Sequence, residues 1–165
     1  MYKEAIEECK KAIRINPDIA VTHYNLGNTY GESGMHKEAI EEFKKAIRID
    51  PDYAWAYYNL GIAFADSGMY KEAIEAYKQV IRIDPDNALA YYNLGIAFAD
   101  SGMYKEAIEE FKKAIRIDPD YVKAHYNLCA AYLILNDRDS AVEQYKILKS
   151  LDPKLAKKLF SVINN

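Results

Sequence analysis

Apolar and polar positions along the chain recur with helical spacing, and the recurrence itself repeats. Between Ala54 and Asp66 the apolar residues fall on two faces of a helix, whereas between Tyr70 and Ile83 they fall on one. This pair of patterns returns in a register of 34 residues, marked by Pro17, Pro51, Pro85, Pro119 and Pro153, which are all five prolines of the chain. The segment from Tyr57 to Glu75 recurs unchanged from Tyr91 to Glu109, and that from Ser33 to Tyr53 recurs from Ser101 to Tyr121 with His36 replaced by Tyr104. Each period predicts a helix, a tight turn, a second helix and a short connection. Gly34, Gly68 and Gly102 stand at the turn, and Asn136 takes their place in the last period; both residue types tolerate the left-handed conformation that closes a helix. Proline then ends each second helix, and the aspartate after it (Asp18, Asp52, Asp86, Asp120) is expected to cap the next.

Counted in this register, the chain is one array over residues 1–165. It comprises the second helix of an incomplete repeat at 1–17, full repeats at 18–51, 52–85, 86–119 and 120–153, and a capping helix at 154–165. Met1 falls in register with Met35, Met69 and Met103, so the array begins in mid-repeat, through a cut inside a longer array or an internal start. The last helix should turn Leu155, Leu159, Phe160 and Ile163 to its neighbour and Lys154, Lys157 and Lys158 to water, as the end of a stacked array requires.

A helical hairpin of 34 residues resembles the tetratricopeptide repeat, and the resemblance covers nearly the whole chain. It rests on the pairs Leu26-Gly27, Leu60-Gly61 and Leu94-Gly95 and on the aromatic residue three further on, Tyr30, Phe64 or Phe98. The second helices add Ala39, Ala73, Ala107 and Ala141 and the aromatic column Phe43, Tyr77, Phe111 and Tyr145. The departures are His23, Tyr57, Tyr91 and His125 in a column usually filled by tryptophan or another aromatic, Cys129 for glycine, and Val80 and Leu148 for a late alanine. The resemblance implies an all-α fold, a right-handed superhelical solenoid of antiparallel helix hairpins whose concave wall is made by the first helices. Close approach is expected at Gly27, Gly61 and Gly95 opposite the alanine column, where a larger side chain would cost about 1–3 kcal/mol by overpacking. On the outer strip, Glu7 with Lys11, Glu41 with Lys45 and Glu109 with Lys113 are expected to pair across one turn.

Composition narrows the function. The chain has 22 Lys and Arg against 25 Asp and Glu, a net charge of −3, which lacks the basic footprint of a nucleic-acid binder. No stretch approaches the roughly 20 apolar residues of a membrane span, and the N-terminal charges do not suit a secretory leader, so a cytoplasmic location is the default expectation. The two cysteines, Cys9 and Cys129, lie too many repeats apart for an intramolecular disulfide, and 15 tyrosines leave an aromatic load to be explained.

Catalytic and metal-binding patterns are not found. His23, His36 and His125 are isolated and read as variants of aromatic positions, with no pair at the i, i+4 spacing of a metal-binding helix. Gly27, Gly31 and Gly34 lie within or at the end of a helix with no preceding strand, unlike a phosphate loop. Ser33, Ser67 and Ser101 are turn residues. The expectation is a non-catalytic protein without cofactor or metal.

The binding surface implied by the resemblance lies opposite His23, Leu26, Gly27 and Tyr30. It comprises a tyrosine column (Tyr24, Tyr58, Tyr92, Tyr126), an asparagine column (Asn25, Asn59, Asn93, Asn127) and a third column of Asn28, Ile62, Ile96 and Ala130. Val21, Trp55, Leu89 and Lys123 line one edge, and Glu32, Asp66, Asp100 and Ile134 the other. Asparagine amides can both donate to and accept from a peptide main chain, and tyrosine rings add contact area at low entropic cost. The asparagine column is similar to the ladder on the concave wall of the O-linked N-acetylglucosamine transferase repeats; the alternative is that both columns serve packing. Co-chaperone repeats that grip C-terminal carboxylates need cations where this chain has Tyr24, Leu89 and Asn93, so that specificity is excluded. The expected ligand is an extended peptide with apolar and basic residues. Two alternatives remain: head-to-tail self-association through the first helix, with Ile6, Cys9 and Ile13 left open, or service as the recognition segment of a larger enzyme such as a glycosyltransferase.

Overall fold

A computed structural model describes the backbone of residues 2–163 and the side chains of residues 2–159. Among the described residues there are ten helices and no strand, and their contacts divide into two units, residues 1–85 and 86–165. The first holds α1 (Tyr2–Ile15), α2 (Ala20–Glu32), α3 (His36–Ile49), α4 (Ala54–Asp66) and α5 (Tyr70–Ile83). The second holds α6 (Ala88–Asp100), α7 (Tyr104–Ile117), α8 (Val122–Ile134), α9 (Arg138–Leu151) and α10 (Pro153–Ile163). Within each unit, successive helices pack on one another, with smaller contacts between α2 and α4, between α6 and α8, and between α8 and α10.

The turns form as the residue types require. Gly34, Gly68 and Gly102 have φ of 79°, 73° and 82°, and Asn136 has φ of 60°, the left-handed region that a glycine or asparagine enters most cheaply. Each places the following amide on a carbonyl of the last helical turn, as in Met69 N donating to Phe64 O at 2.8 Å.

The caps differ from expectation. The residues preceding α2, α4 and α8 are Ile19, Tyr53 and Tyr121, none of which makes a side-chain cap. Asp52 N and Asp120 N instead donate to the Asp50 and Asp118 side chains, both at 3.2 Å, so an aspartate before the proline shapes the turn and the one after it faces solvent. Side-chain caps come from Asn87 on Ala90 N, Asp137 on Ser140 N, and Asp152 on Leu155 N.

Within each unit the core is made of small hairpin interfaces. Ala39, Ala73, Ala107 and Ala141 are fully buried, and Phe43, Tyr77 and Phe111 are buried with them. What faces the helical glycines is the aromatic column and not the alanines: a Cβ on Gly27, Gly61 or Gly95 would stand 2.6 Å from the ring of Phe43, Tyr77 or Phe111. On the outer strip the acid–base pairs are spaced by three residues, Glu8 with Lys11 at 2.7 Å and Glu109 with Lys112 at 3.1 Å, in place of the four expected. In α10, Ala156 and Leu159 are buried while Lys154, Lys157 and Lys158 are exposed; the side chains of Phe160 and Ile163, like Met1, lie outside the described residues.

Candidate functional site

The first-type helices are two-faced in both units. In α2 the buried residues are His23, Leu26, Gly27 and Tyr30. The opposite side leaves Val21, Asn25 and Glu32 exposed and Tyr24 and Asn28 half-buried. In α4 the corresponding side presents Trp55, Ile62 and Asp66 to solvent, with Tyr58 and Asn59 half-buried; Trp55 is 59% exposed. In the second unit, Leu89, Asp100 and Lys123 are exposed, and Tyr92, Asn93, Ile96, Tyr126 and Asn127 are half-buried. None of the sequence-derived groove residues is in the buried core.

The tyrosine and asparagine columns interlock. Asn59 Nδ2 donates to Tyr24 Oη at 3.2 Å and to Asn28 Oδ1 at 2.7 Å, tying α4 to α2. In the second unit Asn127 Nδ2 donates to Tyr92 Oη at 2.9 Å. Asn93 Nδ2 donates within its own helix to Leu89 O at 3.1 Å. The amide nitrogens of Asn59, Asn93 and Asn127 are thus used internally, while among the described residues the Oδ1 atoms of Asn59 and Asn127 make no hydrogen bond.

The tyrosine rings sit on the aromatic column beneath them. Tyr24 lies with its centroid 6.1 Å from Phe43 and 5.0 Å from Tyr53, and Tyr92 lies 6.0 Å from Phe111 and 5.0 Å from Tyr121. Tyr58 meets Trp55 edge-on at 5.9 Å and Tyr77 at 6.0 Å. Burial, followed by the neighbouring Tyr58 and Asp66, pushes the Tyr77 phenol well above its ordinary range, so it stays a neutral packing group.

Two cavities open on this side, one in each unit, and they are built from the same positions two repeats apart. In the first, of about 390 Å³, the buried Phe43 and Ala63 form the base and the exposed Glu32 and Asp66 the rim, with His36 and Asn59 also at its wall. In the second, of about 240 Å³, Phe111 and Ala131 form the base, while Asp100 and Ile134 occupy the rim positions. Gly31, His36, Phe43 and Ala63 line the first cavity but belong to none of the groove columns read from the sequence. The available signal was Gly31, a helix-interior glycine where the register otherwise holds Ala65, Ala99 and Leu133.

The buried histidines form a second polar feature. His23 Nε2 donates to Pro17 O at 3.0 Å while Nδ1 pairs with Glu42 Oε2 at 2.6 Å. His125 repeats the arrangement with Pro119 O at 2.9 Å and Gln144 Oε1 at 2.8 Å. Among the described residues no buried side-chain nitrogen or oxygen lacks a partner, and no group of three His, Cys, Asp or Glu side chains could hold a metal ion.

Hairpins repeated every 34 residues, each turning one helix face outward, define a helical-repeat scaffold for protein interaction. The sequence matches the TPR repeat model over residues 1–34, 32–68, 63–102 and 97–136, and the chain belongs to the tetratricopeptide-repeat family. Among solved structures, a crystal structure of MamA is similar at 34% identity and a TM-score of 0.89, covering 94% of this chain and 91% of that one. MamA from Desulfovibrio magneticus RS-1, residues 41 to the end, is 26% identical with a TM-score of 0.86, covering 92% and 86%. YrrB, described as a TPR protein with an unusual peptide-binding site, is 25% identical with a TM-score of 0.85, covering 97% and 84%. No curated protein matches the chain. Among the described residues no helix is long and apolar enough to cross a membrane.

Proposed function

We propose that the chain is a non-catalytic scaffold that holds an extended partner segment against the first helices of its units, with a preference for apolar and basic residues. The observation that carries this reading is the exposed side of α2 and α4, where Trp55 stands 59% exposed beside Tyr58, Ile62, Asn59 and Asp66. A large aromatic side chain kept in water next to amide and acidic groups has the make-up of a binding anchor with a polar surround. The similarity to YrrB supports it, since that protein is described as having a peptide-binding site. The test is selection of ten-residue peptides from a displayed random library, followed by affinity measurement on variants. Loss of binding in Trp55→Ala and in the double variant Asn59→Ala, Asn93→Ala is the expected result. A selected peptide that binds the double variant as well as the parent protein, or a library preference for acidic C-termini, overturns the proposal.

A second reading, self-association, is favoured by α1. Ala5 and Ala12 are exposed there, whereas Ala39, Ala46, Ala73, Ala107 and Ala114 at the same register positions are 0% exposed. A helix from a second copy, such as α10, would cover them, as would a helix lying upstream of Met1 in a longer chain. Light scattering over a concentration series decides: mass rising in whole multiples supports the reading, and a constant monomer mass ends it.

A further inference from the structure

The cavity between α2, α3 and α4 differs from its counterpart in the second unit in ways that share one chemical direction. At the rim the first cavity carries two carboxylates, Glu32 and Asp66, where the second carries Asp100 and Ile134. Neither Glu32 nor Asp66 makes an ion pair or hydrogen bond among the described residues. On the wall, Asn28 and His36 stand where the second has Ile96 and Tyr104. The base keeps its apolar character in both, Phe43 with Ala63 against Phe111 with Ala131.

Gly31 is an independent observation. A glycine inside a helix weakens it relative to alanine, so it needs a reason. At Gly27 that reason is contact, because a Cβ would strike Phe43 at 2.6 Å. At Gly31 the nearest atom to a built Cβ is Ala39 Cβ at 4.0 Å, an ordinary contact, and the backbone is helical. Packing therefore does not demand glycine at this position, and alanine occupies it in the second unit as Ala99. What glycine does is leave a methyl's space in the cavity it lines, which, with Asn28, His36, Ile62 and Asp66 also differing from their counterparts, is about 390 Å³ against about 240 Å³ in the unit with Ala99. The larger volume lies within the range of ligand pockets and the smaller below it.

We infer that the cavity between α2, α3 and α4 is a specificity pocket for one long cationic side chain, lysine or arginine, of the bound segment. The inference rests on the peptide-binding reading above. Phe43, Ala63 and Gly31 receive the aliphatic stem, Glu32 and Asp66 bracket the charge, and the free Asn59 Oδ1 accepts a hydrogen bond from it. The counterpart with Asp100, Ile96 and Ile134 takes a shorter or apolar side chain.

Two arms test this. In the first, n-butylammonium and n-butylguanidinium chloride are titrated into ¹⁵N-labelled protein, with 1-butanol as the neutral control. The cations should shift the amides of Gly31, Glu32 and Asp66 and leave Ala99 and Ile134 in place, and the double variant Glu32→Gln, Asp66→Asn should abolish the shifts. Cations that leave those amides unmoved, or 1-butanol that moves them equally, overturn the pocket. In the second arm, each position of a library-selected decapeptide is replaced by lysine, arginine or norleucine. One position should favour the cations by about ten-fold at low salt, with the preference fading as added salt screens the charges. Gly31→Ala should melt no lower than the parent protein yet bind the lysine peptide about three-fold or more weakly. Unchanged affinity in Gly31→Ala defeats this inference and leaves the peptide-binding reading intact, whereas a bound peptide with no cation preference at any position defeats both this inference and the proposed preference for basic residues, leaving only the binding of an extended segment. A library without any binder defeats the peptide-binding reading, while the first arm still decides the pocket.

Discussion

His23 Nδ1 meets Glu42 Oε2 at 2.6 Å in a buried contact between α2 and α3, and the two residues are 6% and 7% exposed. The pair is not a general feature of the repeat, because the same positions in α4 and α5 hold Tyr57 and Ala76. Glu42→Ala alone removes the partner of a buried ring nitrogen and should destabilise the fold by about 1–3 kcal/mol. The double substitution His23→Tyr, Glu42→Ala recreates the Tyr57 and Ala76 combination and should recover most of that loss. Urea denaturation of the three proteins measures both values.

The helical glycines divide into two kinds, and alanine scanning should separate them by sign. Gly61→Ala would drive a Cβ to 2.6 Å from the buried Tyr77 ring, with an expected loss of about 1–3 kcal/mol. Gly31→Ala meets nothing closer than 4.0 Å and should gain about 0.5–1 kcal/mol from the stiffer helix. Thermal melting of the two variants against the parent protein reads the difference directly.

Removing the tyrosine hydroxyls tests the links between first helices. Asn127 donates to Tyr92 Oη at 2.9 Å, and Ile96 stands where the first unit has Asn28, so Tyr92→Phe leaves that amide without its acceptor. A loss of about 0.5–1.5 kcal/mol is expected. Tyr24→Phe should cost less, because Asn59 keeps its 2.7 Å bond to Asn28. Equal losses in denaturant titrations would show that the Asn28 contact contributes nothing.

Cys129 provides a pH signature. It is fully buried in the column that holds glycine in the other repeats, and its Sγ donates to Ala141 O at 3.2 Å. Burial pushes its thiol up to about 11 from the ordinary 9.0. Between those values the unfolded chain has lost the proton that the folded chain retains, so this contribution is intact below pH 9 and disappears as pH rises toward 11. The stability of the parent protein should therefore fall more steeply over this interval than that of Cys129→Ala. At pH 8, a thiol reagent should modify the half-buried Cys9 and spare Cys129 until the protein unfolds.

The helices were legible because hydrophobic period, glycine and proline agree at every repeat, and α4 and α5 begin and end at the residues that the pattern marks. The left-handed turn at Asn136 was legible for the same reason, since asparagine tolerates the φ of 60° that the turn requires. Long-range pairing was not. Asn59 reads as a free amide from its column alone, yet its nitrogen is held by Tyr24 and Asn28, which only the stacking of α2 and α4 brings near. His23 and Glu42 lie 19 residues apart, as do His125 and Gln144; that shared offset was present in the sequence, but one helix face does not reveal its partner on the next. The caps differ locally, because the backbone N–H groups of Asp52 and Asp120 close the turns accepted by Asp50 and Asp118, and the cap positions fall one residue later, at Tyr53 and Tyr121.

Trp55 is the single tryptophan of the chain, and it stands 59% exposed on α4 with Tyr58 at its edge. Its indole emission starts from a water-facing environment and moves toward shorter wavelength when another molecule covers it. The protein thus carries its own fluorescent reporter on the face in question, and occupancy there can be followed in unlabelled protein.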